Sequence, residues 1–186
     1  MKTLSIVIPC YNEELSVDGL FAAIEDTVLH LMDRYVVSCI FVDDGSKDGT
    51  LEKIKSLDSG LVRIEYISFS RNFGKESAMM AGLKKAKGDL VAIMDSDLQH
   101  PPRYLLDMLK EIEQNGYDMI AMRRVSRKGD PKIKSWFARA FYRTINRISE
   151  TELADGVGDY RLMKRIVADA ILSLKEYHRF SKGLFS

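Results

Sequence analysis

Asp95 and Asp97 stand one residue apart where an apolar run, Leu90–Val91–Ala92–Ile93–Met94, gives way to Ser96, Leu98, Gln99, His100 and two prolines. In an extended chain, side chains two apart point the same way, so both carboxylates can converge on one point past a strand's end. Neighbouring carboxylates repel one another unless a cation lies between them. Hard oxygen donors suit Mg²⁺ or Mn²⁺, ions that keep water and are usually completed by substrate phosphates. The chemistry expected of this pair is a divalent ion held for a diphosphate-containing substrate. A lone Asp-x-Asp more often caps a loop or the next helix, so the rest of the chain decides.

The elements that must position the pair alternate. Leu4–Ser5–Ile6–Val7–Ile8–Pro9 has the β-branched, apolar make-up of a buried strand, and it runs into Cys10–Tyr11–Asn12–Glu13–Glu14. Val17, Leu20, Phe21, Ile24, Val28 and Leu31 then mark one face of a helix. Val36 to Val42 is a second buried strand and stops at Asp43–Asp44–Gly45–Ser46. Ser46, Asp48 and Thr50 are helix-entry residues for a short helix to about Leu57. Val62 to Phe69 reads as strand, Ser70 to Lys75 as loop, and Glu76 to Ala86 as helix before Gly88. The strand expected to end at Asp95 follows. Pro101 and Pro102 open a helix with Leu105, Leu106, Met108, Leu109 and Ile112 inward, closed by Gly116, and Asp118 to Met122 is a fifth strand. Such alternation predicts a mostly parallel α/β sheet with helices on both faces. Ligands of such sheets sit beyond the carboxyl ends of the strands, and the polar clusters fall after strands one, two and four.

The chain has 186 residues, 46% hydrophobic and 30% charged, with a formal net charge of +1. That length suits one domain, 1–186. Cys10 and Cys39 lie in or beside apolar runs and read as reduced core thiols. No apolar stretch reaches the ~18 residues of a membrane span, and no secretory leader is visible. The dinucleotide fingerprint and the Walker A loop are absent, so a nucleotide here would be held by acids and metal. From Arg123 to Arg147 nine bases face one acid, Asp130. An amphipathic helix over about 133–149, with Trp136, Phe137 and Phe141 at helical spacing in a stretch that carries Lys134, Arg139 and Arg143, suits an anionic membrane surface. A core-packing helix with a solvated polar face is the other reading, and nucleic acid is a weaker third because the remaining chain is not basic. Ala154–Asp155–Gly156–Val157–Gly158–Asp159 is expected to be a loop that approaches a ligand. Ile166 to Leu174 is a last amphipathic helix, and the end at Ser186 reads as a cut rather than a finish.

Five ordered stretches carry a resemblance: Ile8–Pro9–Cys10–Tyr11–Asn12–Glu13–Glu14, Val42 through Thr50, Arg71–Asn72–Phe73–Gly74–Lys75, Asp95 through Pro102, and Gly158–Asp159–Tyr160–Arg161–Leu162. In these the chain resembles the family 2 inverting glycosyltransferases of the GT-A fold, more narrowly the polyprenyl-phosphate branch of bactoprenol glucosyltransferases and dolichol-phosphate mannose synthases. The resemblance implies that Pro9, Tyr11, Glu13 and Asp43 hold the nucleoside, with Asn12, Asp44, Ser46, Gly74, Lys75 and Ser96 in the same donor site. It implies that Asp95 and Asp97 bind Mg²⁺ or Mn²⁺ and the diphosphate with Gln99 beside them. Arg123 would meet donor or acceptor phosphate, and Asp155 and Asp159 would lie near sugar and acceptor. Arg124, Arg127, Lys134, Arg139, Arg161, Arg179 and Lys182 are the expected contacts to the lipid phosphate and the membrane. The implied activity is hexose transfer from a nucleotide-diphosphate sugar, UDP-glucose or GDP-mannose, to polyprenyl phosphate at the cytoplasmic membrane face, with transmembrane helices following in the bactoprenol enzymes. The rival readings are a nucleotide-sugar-binding or membrane-scaffolding domain without turnover, and an aspartyl phosphotransferase.

Overall fold

The structure is a computed structural model that describes residues 1–123 and 157–173. Its centre is β1 (Lys2–Cys10), in which seven consecutive residues from Leu4 are buried. A strand buried on both faces needs sheet on both edges and helices above and below. Both edges are supplied by parallel partners, β2 (Tyr35–Asp43) on one side and β4 (Leu90–Ile93) on the other. β3 (Val62–Ser68) extends the sheet beyond β2. Beyond β4 lies β6 (Val157–Lys164), antiparallel to β4 and to β5 (Met119–Arg123). The order is β3-β2-β1-β4-β6-β5, so among the described strands β6 alone runs against the rest.

The pleat divides the interior in two. Leu4, Ile6 and Ile8 of β1, with Val37, Cys39 and Phe41 of β2, point into a core shared with α1 (Val17–Leu29), Ile54 of α2 (Thr50–Ser56) and α4 (Tyr104–Asn115). Val7, Ile40, Val42, Val91 and Ile93 point the other way, against α3 (Lys75–Lys85) and α5 (Arg165–Ser173). The fold is thus the expected α/β class with helices on both faces. The helical face expected for α1 is buried throughout, Leu31 included. α4 buries Leu105, Met108, Leu109 and Ile112, and Gly116 closes it in the left-handed region at φ 73°.

Two expectations need correction. Strand pairing in β4 stops at Ile93, with one further backbone bond from Met94 N–H to the Val7 carbonyl, so Asp95 and Asp97 belong to a loop. The stretch read as a ligand-approaching loop is, from Val157 onward, an interior strand. Gly158 and Asp159 disguised it, while Tyr160 and Leu162 are buried on one face and Met163 on the other. The basic segment at 133–149, together with Asp155, Arg124, Arg127, Lys134, Arg139, Arg179 and Lys182, lies outside the described residues. Among the described residues no helix is long and apolar enough to cross a membrane.

Candidate active site

At the carboxyl end of the sheet, the loops after β1 and β2 are stitched to each other before they meet any ligand. Asn12, at φ 56°, donates its N–H to Ser46 Oγ (2.9 Å), and its Oδ1 accepts the Lys47 N–H (2.9 Å). Glu13 N–H reaches Thr50 Oγ1 at 2.7 Å, and Glu14 N–H reaches Asp48 Oδ2 at 3.2 Å. Asp43 is buried, its Oδ1 accepting the Ser46 N–H and its Oδ2 the Ser68 hydroxyl. Gly45 has φ 68°, and a Cβ there would lie 2.4 Å from the Arg71 carbonyl carbon. Only glycine admits that turn and that approach together.

Asp44 fixes the next loop. Its two oxygens accept the N–H groups of Phe73 (2.7 Å) and Gly74 (2.9 Å), and Gly74 turns at φ 95° directly before α3. Lys75, the first residue of α3, therefore starts from a fixed position at the rim. Its ammonium lies 2.5 Å from Asp95 Oδ1 and 2.7 Å from Asp159 Oδ2. Burial pulls this ammonium's pKa down, but the bonds to Asp159 and Asp95 outweigh it and hold it above the ordinary lysine range. Asp159 reaches Lys75 because it lies in β6 on the α3 face of the sheet, two residues from Arg161.

Beyond β4 the loop turns at Leu98, another non-glycine residue at φ 56°, and Asp97 Oδ1 accepts the Gln99 N–H (3.1 Å). The buried Tyr160 donates its hydroxyl to the Pro102 carbonyl (3.0 Å), tying β6 to the entry of α4. The result is a cleft of about 230 Å³ walled by Tyr11 and Glu13 after β1, Asp44 after β2, Asn72 and Lys75 around the start of α3, and Asp95 to Asp97 after β4. The three acidic strand ends thus open on one hollow. An adjoining groove, shared through Tyr11 and Asn72, is lined by Asp43, Ser46, Arg71 and their neighbours.

Of the residues expected in the donor site, Pro9, Tyr11, Glu13, Asp44, Lys75, Asp95, Ser96 and Asp97 line the cleft, and Asp43 and Ser46 line the groove. Asn12 and Gly74 shape the loops. Gln99 is exposed and outside the cleft lining. Arg123 ends β5 opposite Val157. Arg161, expected at the acceptor phosphate, is buried in β6 between Ile93 and Ala121, and that burial lowers its pKa from the ordinary guanidinium value, with Asp159 opposing. Asn72, Cys10 and Ala78 join the wall without having been singled out for it. Asn72 was legible, since an amide between Arg71 and Phe73 in a turn is a ready polar contact, whereas nothing in an isolated alanine announces a wall. The donor chemistry suits Mg²⁺ or Mn²⁺: carboxylates from Asp95 and Asp97 face one cleft, and a cation, Lys75, already lies against Asp95 Oδ1. Among the described residues no group of three acidic, histidine or cysteine ligands forms, so water and substrate phosphate would complete such a site.

Residues 5–172 match the family described as Glycosyl transferase family 2. The chain belongs to this family. It is 43% identical over 182 residues to a putative glycosyltransferase, CsbB, of Bacillus subtilis (strain 168), covering 98% of this chain and 54% of that protein. It is 37% identical over 183 residues to a bactoprenol glucosyl transferase of Shigella phage SfV, covering 98% and 59%. The chain spans little more than half the length of these curated relatives. Among solved structures it superposes on S. aureus TarS 1-349 with a TM-score of 0.62 at 22% identity, over 99% of this chain and 53% of that one. The mannosyltransferase PcManGT from Pyrobaculum calidifontis, in complex with GDP-Man and Mn²⁺, gives 0.63 at 20%, over 91% and 46%. These likenesses make the architecture that of the GT-A glycosyltransferases.

Proposed function

We propose that this glycosyltransferase domain moves a hexose from a nucleotide-diphosphate sugar to polyprenyl phosphate with inversion at the anomeric carbon, UDP-glucose being the first donor to test and GDP-mannose the second. The observation that carries the reading is the cleft at the sheet's carboxyl rim, where acids from the segments after β1, β2 and β4 meet Lys75. Relatives named bactoprenol glucosyl transferase, matched over 98% of this chain, support the lipid-phosphate acceptor.

In this mechanism the nucleoside lies against Pro9, Tyr11, Glu13 and Asp43, and Asp95 and Asp97 hold a divalent ion, with Lys75 beside them. When bound, the ion supplies Lewis-acid neutralisation of the charge that grows on the leaving diphosphate. The loop bonds of Asp43 and Asp44 keep the walls in place without reorganisation as charge develops, which is where preorganised polar groups contribute most. An oxygen of the acceptor phosphate attacks the anomeric carbon as the bond to the diphosphate oxygen breaks, and the nucleoside diphosphate departs with the electron pair. A phosphate monoester is largely ionised near neutral pH, its second pKa being about 6, so no side chain needs to take a proton. Asp159, bonded to Lys75, then acts by holding that lysine and by facing the sugar. Arg123 and the basic residues that follow it meet acceptor phosphate and the anionic membrane surface at its cytoplasmic face.

The deciding experiment is transfer of radiolabelled glucose from UDP-glucose, or mannose from GDP-mannose, to polyprenyl phosphate in detergent with Mn²⁺ or with EDTA. Label extracted into lipid with Mn²⁺ and absent with EDTA supports the reading. Donor binding with no lipid product from either sugar overturns the acceptor assignment.

A further inference from the structure

Among the described residues that line the cleft, four are acids, Glu13, Asp44, Asp95 and Asp97, and the one cation is Lys75. Its position is built rather than incidental. The buried carboxylate of Asp44 holds the two N–H groups just before it, and α3 is seated by Ala78, Met79 and Leu83 in the core beneath. The packing is tight enough that a Cβ on Gly82 would lie 2.1 Å from Val7 Cγ1. The Nζ of Lys75 spans two elements, reaching Asp95 from the loop after β4 and Asp159 from β6.

We propose that Lys75 is a resident counter-ion that competes with the divalent ion for Asp95, and that the donor's diphosphate resolves the competition by drawing Lys75 onto itself. This deepens the donor site argued above and rests on its assignment of Asp95 to the ion. One carboxylate oxygen cannot serve an ammonium at 2.5 Å and a divalent ion together without bringing like charges into contact. A diphosphate entering beside Lys75 offers that ammonium a stronger partner, which frees Asp95. Ion and nucleotide then each raise the other's affinity, as linkage requires. Lys75 is on this account a positioning residue that enforces joint loading of ion and donor and offsets part of the negative charge of the empty cleft.

The test is Mn²⁺ affinity measured by electron paramagnetic resonance, with and without UDP or GDP, in the wild type, Lys75→Met, Lys75→Gln and Lys75→Arg. Without nucleotide, Mn²⁺ should bind the Met and Gln variants about five- to tenfold more tightly than the wild type, a modest factor because the pair is partly exposed. Nucleotide should tighten Mn²⁺ less in these variants than in the wild type. Lys75→Arg, which keeps the charge, should stay near the wild type. A merely structural lysine would weaken the ion's site when removed, so unchanged or weaker Mn²⁺ binding in a folded Met or Gln variant overturns the proposal. So does a wild type whose Mn²⁺ affinity ignores nucleotide. Sugar transfer plays no part in this readout: a protein that shows the coupling yet glycosylates no lipid refutes the acceptor assignment and leaves Lys75's role standing.

Discussion

Asp97 is an exposed side chain whose known duty in the fold is one hydrogen bond to the Gln99 N–H. Its loss should therefore separate stability from activity. Asp97→Ala is expected to change unfolding free energy by less than about 1 kcal/mol while lowering sugar transfer at least about 100-fold, read by urea titration beside the lipid assay. Near-normal transfer would remove the metal assignment. Cys10 makes a different case, a buried thiol at the cleft wall. Burial, then the charges of Glu13 and Asp43, push its thiol far above the ordinary range against a small opposing effect of Ser96, and burial does the same for Cys39. Since only the thiolate reacts, a disulfide reagent at pH 8 should modify neither cysteine in the native protein and both in denaturant.

At the scale of elements, the closeness of α3 to β1 is the most exacting contact. In an exposed helix Gly→Ala gains about 1 kcal/mol. At Gly82 the added methyl meets Val7, and overpacking costs about 1–3 kcal/mol, so Gly82→Ala should destabilise. Adding Val7→Ala should return part of the loss, a coupling of at least about 0.5 kcal/mol in a double-mutant cycle. At the entry to α2, burial of Asp48 is outweighed by bonds from the N–H and hydroxyl of Thr50 and the N–H of Glu14, which hold its carboxyl below the ordinary range. A lowered folded-state pKa means stabilisation present above the ordinary value near 3.8 and lost as pH falls through the depressed one. Asp48→Asn should accordingly flatten the acid limb of stability against pH.

Elements also show what could be read ahead of the coordinates. β1, β2, α1 and α4 were legible because a buried strand or an amphipathic helix writes its surroundings into hydrophobic spacing. β6 was not, because it opens on polar and small residues: Asp159 bonds to Lys75, and the glycines beside it look like loop. The alternation of Tyr160, Leu162 and Met163 was there to be used, but three residues are too few to overrule a polar start. Asp95 and Asp97 were found for a reason that does not hold in detail. They line one cleft from the loop after β4 rather than as alternating residues of a strand, and loop geometry of that kind depends on contacts that a sequence does not spell out. Lys75 was named from family likeness, yet its double ion pair needed β6 in place to be seen.

For the whole molecule, ligand binding and stability should report on one another. A donor present at a hundredfold over its Kd adds about 2.7 kcal/mol to the native state. A melting series with UDP-glucose and GDP-mannose, each with Mn²⁺ or EDTA, should single out one nucleotide and show the shift only with the ion. Equal shifts in EDTA would mean the acids of the cleft bind the donor without a metal.

The strand that runs against the others has a consequence for how the protein is made. β6 fills the gap between β4 and β5, yet it is synthesised more than thirty residues after β5 ends. Until it emerges from the ribosome, β4 and β5 each present an unpaired edge, and Lys75 lacks Asp159. The half of the sheet built on β1, β2 and β3 can assemble early, while the half that brings Asp159 to Lys75 waits for this late insertion. Arrested nascent chains ending before Val157 should therefore be the aggregation-prone species in the life of this protein, and release beyond Lys164 should mark the moment when the cleft first becomes whole.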